Sequence, residues 1–145
     1  MVDGFAGAIL GVLLRGEHPV LAALRTQSTA ASVRAIETSE LGVWIDLWVD
    51  DQADPLDVGH RFAIDDVYGR VESFPGEVGF QLHVVRGRVK TIEAWVSEPG
   101  WPEEPALLDT WYVAHDPDPE VAELVRVEER DLEFAVRGIH PDPAD

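Results

Sequence analysis

The stretch VGFQLHVVRGRVKTIEAWV, Val78 to Val96, decides the fold. Val78, Phe80, Leu82 and Val84 recur at every second position, the period of a strand that buries one face. Arg86-Gly87-Arg88 interrupts the run, and Val89 to Val96 resumes it with β-branched and aromatic residues. An antiparallel hairpin turning at Gly87 follows.

Working outward, Gly42 to Val49 alternates as strongly. Val43, Ile45, Leu47 and Val49 share one face, while Trp44, Asp46 and Trp48 share the other. Arg61 to Val71 starts in phase with Phe62 and Ile64 and then slips, because Val67, Gly69 and Val71 have the opposite parity. A bulge at Asp65-Asp66 restores a single buried face. Ala31 to Ile36 is a weaker strand, and Ala106 to Ala114 another, with Leu107, Trp111 and Val113 expected inward.

The N-terminal segment has a different period. Phe5, Ile9, Leu10, Val12 and Leu13 predict a helix from Asp3 as N-cap to a stop at Gly16. Pro19 opens a second helix with Val20, Leu21 and Leu24 on its apolar face, ending near Gln27. In the C-terminal third, Asp118-Pro119 before Val121, Leu124 and Val125 reads as a helix start, and Leu132, Phe134 and Val136 as a strand. The expected fold is α+β: a curled antiparallel sheet of about five to seven strands with two N-terminal helices on one face. One domain is expected over residues 1–138, with a frayed acidic tail at 139–145.

Composition narrows the function classes. The chain has 145 residues, 46% of them apolar, enough to build a core. Its 28 acids and 11 bases give a net charge of −17, and residues 93–145 alone hold 15 acids against 3 bases. Clustered cations that would neutralise phosphate are missing, so nucleic acid and anionic membranes are disfavoured partners, while a basic protein is favoured. Phe5 to Leu14 is too short to span a bilayer and has no basic residue before it, which reads as a cytoplasmic protein. Solubility alone, or a salt-adapted host, also accounts for the acidity.

No cysteine is present, which removes thiol nucleophiles and cysteine zinc sites. The serines at 28, 32, 39, 73 and 97 sit in no nucleophile elbow. Asp50, Gln52 and Asp54 have oxygen-ligand spacing but lack the glycine and glutamate of a calcium loop. No cofactor or metal is expected. One catalytic reading stays open: His60, Asp65, Asp66, His83 and Glu93, brought together on the sheet, would supply a two-histidine, one-carboxylate site or a general acid–base pair for a small hydrolase.

The aromatic residues point elsewhere. Trp44 and Trp48 make their strand apolar on both faces, so both faces need cover. Cover from the same chain, through the Trp101 loop or the C-terminal segment, is the expectation; a second subunit in a homodimer is the alternative. In EAWVSEPGWPEEP, Glu93 to Pro105, the prolines end the strand and Gly100 turns the chain. Trp101 is expected to plug the open end of the sheet, with Glu98, Glu103 and Glu104 as an acidic rim. Read instead as a binding lip, the same stretch joins Trp44, Trp48 and Trp95 in a partner surface.

Asp66-Val67, Gly79-Phe80, Gly87, Ile92-Glu93, Trp95, Glu98-Pro99 and Trp101-Pro102, with His18-Pro19 upstream, resemble a pattern in small bacterial single-domain proteins of no known activity. The likeness spans roughly residues 10–104 and departs at Gly100, at Ala94 where glycine is expected, and in the acidic tail. It implies a strand-rich body behind a helical N-terminus. In size and charge the chain is also similar to immunity-type proteins that neutralise toxins. The expected function is a non-catalytic, inhibitor-like module that binds a basic protein.

Overall fold

The computed structural model describes residues 2–50 and 54–140. Two helices, α1 (Gly4–Leu13) and α2 (Pro19–Ser28), precede strands β1 (Ala31–Ser39), β2 (Gly42–Val49), β3 (Arg61–Val71), β4 (Val78–Val85), β5 (Arg88–Trp95), β6 (Leu107–His115) and β7 (Leu124–Val127). A short helix, α3 (Leu132–Ala135), follows. The strands form one antiparallel seven-stranded sheet in the order β1-β2-β5-β4-β3-β6-β7. The sheet is open, so β1 and β7 are edges.

The hairpin forms where alternation placed it. Arg86 (φ 53°) and Gly87 (φ 76°) both adopt positive φ, the two-residue turn whose twist matches antiparallel strands. Gly87 has a second duty, because a Cβ there would strike the backbone of Leu56. Its carbonyl accepts hydrogen bonds from Leu56 N and from Gln27 Nε2, both at 2.9 Å. Gln27 is buried and also accepts from Val89 N at 2.7 Å, so one amide side chain pins α2 to the hairpin.

The bulge in β3 is also where parity put it. Ile64 pairs with Leu82 and Val67 with Phe80, leaving Asp65 and Asp66 against Gln81 alone. Extending one strand by a residue lets Phe62, Ile64, Val67 and Val71 all face the core.

Helices α1 and α2 pack on the middle of the sheet, α1 over β3, β4 and β6, α2 over β5. Ile9, Leu13, Leu21 and Leu24 are fully buried against Val43, Ile45, Leu82 and Ile92. Asp3 caps α1 through its carbonyl, which accepts from Gly7 N, and its side chain makes no cap bond. His18 is the N-cap of α2, with Nδ1 accepting from Val20 N. Arg25 donates to the carbonyls of Leu14 and Gly16 and closes the carboxyl end of α1.

Three expectations need correction. The C-terminal third is strand then helix, the reverse of the order read from the sequence. Val125 and Val127 pair with Ala114 and Tyr112, while Asp131 Oδ1 accepts from Phe134 N and starts α3. Asp116 and Asp118 turn the Pro117-Pro119 segment by accepting from Asp118 N and Glu120 N, so no helix begins there. In β6 the phase slips after Leu107. Tyr112, paired with Val67, points at the helices where Trp111 was expected, and its hydroxyl donates to Val12 O at 2.7 Å. Finally, the chain does not end its packing at 138: Ile139 packs against the core and His140 N donates to Val58 O. Residues 141–145 lie outside the described residues, as does Gln52 of the acidic loop. Among the described residues no helix is long and apolar enough to cross a membrane.

Candidate functional site

The residues that alternate with the core face of the sheet form its second face, away from α1 and α2. Cross-strand pairing arranges them in rows. One row runs Glu37, Trp44, Glu93 and Gln81 across β1, β2, β5 and β4. The next carries Ala35, Asp46, Thr91, His83 and Ala63. On the other side lies Gly42, Trp95, Gly79, Tyr68 and Trp111. Around Trp44, Trp48 and Trp95 this face is open, while the C-terminal segment reaches its β3–β6 part, where Phe134 meets His115 edge-on at 4.9 Å and Arg137 binds Asp65. Trp44 and Trp48 are each 49% exposed and Trp95 37%. The expectation that the chain itself covers this pair is therefore overturned. The Trp101 loop turns to the other side, and the C-terminal segment joins β6 and the helix layer.

The exposed aromatics are held in place. His83 stacks on Trp44 with ring centroids 5.6 Å apart and planes 13° from parallel. Its Nε2 lies 3.1 Å from Glu93 Oε1. Trp95 lies across the backbone of Gly79, where any Cβ would collide with the indole, and meets Tyr68 edge-on at 5.9 Å. Burial, with Asp65 and Glu77 adding negative charge nearby, pushes the Tyr68 phenol above its ordinary pKa, so it is neutral across the physiological range. At the β7 edge the Arg126 guanidinium sits 4.8 Å from the Trp111 ring centroid. Lys90 Nζ contacts Asp46 Oδ1 at 3.1 Å. Trp44, Arg61, Ala63, His83, Lys90 and Thr91 border a hollow of about 450 Å³.

The five residues of the catalytic reading separate. His83 and Glu93 meet. Asp66 is fully buried on the helix side, where Oδ1 and Oδ2 accept from Arg130 Nη2 and Nε at 2.7 and 2.9 Å. Asp65 accepts from Arg137 Nη2 at 2.7 Å. His60 is exposed before β3, and its carbonyl accepts from Arg86 N. Among the described residues no group of three or more His, Asp or Glu could hold a metal ion.

The residues of the binding reading also divide. Trp44, Trp48 and Trp95 share the open face. Trp101 is 9% exposed and inserts into the core 6.1 Å from Phe5, as a plug would. The loop is pinned behind it, since Glu40 O accepts from Gly100 N and Trp101 N. Glu98, Glu103 and Glu104 remain exposed around it. Tyr68, Trp111, Lys90 and Arg126 belong to the open face but were not singled out from the sequence. Tyr68 and Trp111 become visible only once the bulge in β3 and the slip in β6 set their phase.

No protein-family model matches the chain, and neither a curated protein nor a solved structure matches it. The family likeness over residues 10–104 rests on the quoted residues alone.

Proposed function

We propose that this chain is a non-catalytic protein-binding module, inhibitor- or immunity-like, that engages a basic protein through the open face of its sheet. The observation that supports this most is the group of half-exposed tryptophans, Trp44, Trp48 and Trp95, on the open part of the sheet's second face. Large exposed aromatics among charged groups are the usual anchors of interfaces. Indole faces also take guanidinium and ammonium groups. Glu37, Asp46 and Glu93 stand beside them, and the chain as a whole carries −17. That field speeds encounter with a positive partner and repels a negative one.

Affinity capture at low salt, with identification of what is retained, tests this. The reading expects a basic protein that leaves the column as salt rises and is not held by a Trp44→Ala, Trp48→Ala double variant. A partner retained equally by the double variant would overturn it. The alternative, a small hydrolase or metal-binding domain, is favoured by one contact, His83 with Glu93. Turnover in a hydrolase panel that disappears in His83→Ala would replace the binding reading.

A further inference from the structure

β1 is the sheet's outer strand, and most of it overhangs the rest of the molecule. It is nine residues long, whereas the opposite edge, β7, has four. From Val33 to Ser39 every residue is exposed. Helices α1 and α2 sit over β3 to β6, so even the helix-side residues of β1 lack cover: Ile36 is 60% exposed and Val33 38%. Among the described residues its backbone pairs with β2 on one side only. Such an edge is a template for another strand. The usual protections are sparse here: the strand has no proline or lysine, and its devices are a bulge between Val33 and Ala35 and the charges of Arg34 and Glu37.

Resting on the binding reading above, we infer that the partner docks by adding an extended segment to β1 as an eighth strand, and that this segment alternates basic and apolar residues. A strand sends successive side chains to opposite faces. On the open face the added strand meets Ala35 and Glu37, with Trp44, Asp46 and Trp48 one strand further in. Arginine or lysine there reaches carboxylate and indole together. On the helix side it meets Val33 and Ile36, where apolar residues extend the core layer. Glu40, exposed in the β1–β2 turn, adds to the acidic end. Main-chain bonds supply affinity and the two faces supply specificity, the logic of strand addition. A second copy is a poorer occupant, because it brings −17 against −17.

The probe is a synthetic peptide as long as β1, alternating arginine and valine. Its control has the same composition apart from prolines at every third position, which cannot pair as a strand. Hydrogen exchange and tryptophan fluorescence are read at low salt. The inference expects exchange at the outward amides of residues 33–39 to slow by about tenfold or more with the first peptide. It expects the control, and the Ile36→Lys and Glu37→Lys variants, to bind about tenfold more weakly. Equal binding of both peptides with no protection of β1 would overturn strand addition and leave the open-face reading standing. Binding of neither peptide would also overturn it; if capture then retained no basic protein either, both readings would fall. Protection of β1 by the protein's own concentration, with a dimer in sedimentation, would replace the partner strand with a second copy.

Discussion

Replacing Arg130 with alanine tests the packing logic most severely. Its side chain is 6% exposed and faces Asp66, whose side chain is 0% exposed. The guanidinium forks onto both carboxylate oxygens, donates to Arg15 O at 2.7 Å and to Val12 O at 3.4 Å, and lies 4.6 Å from the Tyr112 ring centroid. One side chain thus joins the C-terminal segment, the bulge in β3 and the end of α1. Arg130→Ala leaves a buried carboxylate with no counter-charge, and breaking a buried pair this way costs about 3–5 kcal/mol. Loss of the ring contact adds roughly 1 kcal/mol. Domains of this size are stable by about 5–15 kcal/mol, so the variant sits near the edge of folding. Urea unfolding at neutral pH measures it. The companion Asp66→Leu, Arg130→Leu removes both charges and is expected to lose less than Arg130→Ala, because no buried charge is left alone. The more exposed pair Arg137 with Asp65 is the internal contrast: each side chain is 39% exposed, so the ion pair is worth about 0–1 kcal/mol, and Arg137→Ala, which also loses a ring contact at 3.7 Å to Phe134, is expected to cost about 1–2 kcal/mol. An Arg130→Ala loss no larger than that of Arg137→Ala would sink this expectation.

Trp101→Ala is expected to cost about 3–5 kcal/mol in the same assay, as for a large aromatic in a core, whereas Trp44→Ala stays within about 1 kcal/mol. The indole N–H of Trp101 has no hydrogen-bond partner among the described residues, so Trp101→Phe should lose much less than Trp101→Ala. The Tyr112 phenol has its pKa raised mainly by burial, against the lowering effect of Arg130 and Arg15. A raised folded-state value means the folded chain holds this proton more tightly than the unfolded chain. The associated stability is present below about pH 10 and is lost as pH climbs through the folded value. Thermal unfolding between pH 9 and 11.5 should therefore decline more steeply for the wild type than for Tyr112→Phe; parallel curves would remove Tyr112 from the alkaline transition.

Legibility in the sequence followed the length and regularity of each pattern. The β4–β5 hairpin was readable because β4 alternates into an Arg-Gly turn and β-branched residues follow it, although the parity of β5 slips at Lys90. The bulge was readable because two acids sit where the parity of β3 reverses. β7 and α3 were not, since each spans four residues, too few to separate a period of 2 from one of 3.6. Asp66 shows how a candidate site dissolves. Two adjacent acids on a strand suggest chemistry until Arg130, 64 residues away, is found to neutralise one of them in the core. The same distance problem hid the strand order, in which β2 pairs with β5. Alternation did assign Trp44 and Trp48 to one face. It carries no information on whether anything lies over that face, and there the expectation of cover failed. Trp101 was better determined, because flanking prolines and glycine leave a tryptophan little choice but to fold back on its own core.

In the binding reading, Trp44, Trp48 and Trp95 are bare in the isolated chain and occupied in the complex. Hydroxyl-radical footprinting with mass spectrometry reads each tryptophan separately. Trp44, Trp48 and Trp95 are expected to oxidise readily in the free protein while Trp101 is spared, and the first three to become protected when the basic partner captured at low salt is bound. Trp44 and Trp48 that resist oxidation in the free chain, or that stay as reactive in the complex as outside it, would contradict that reading.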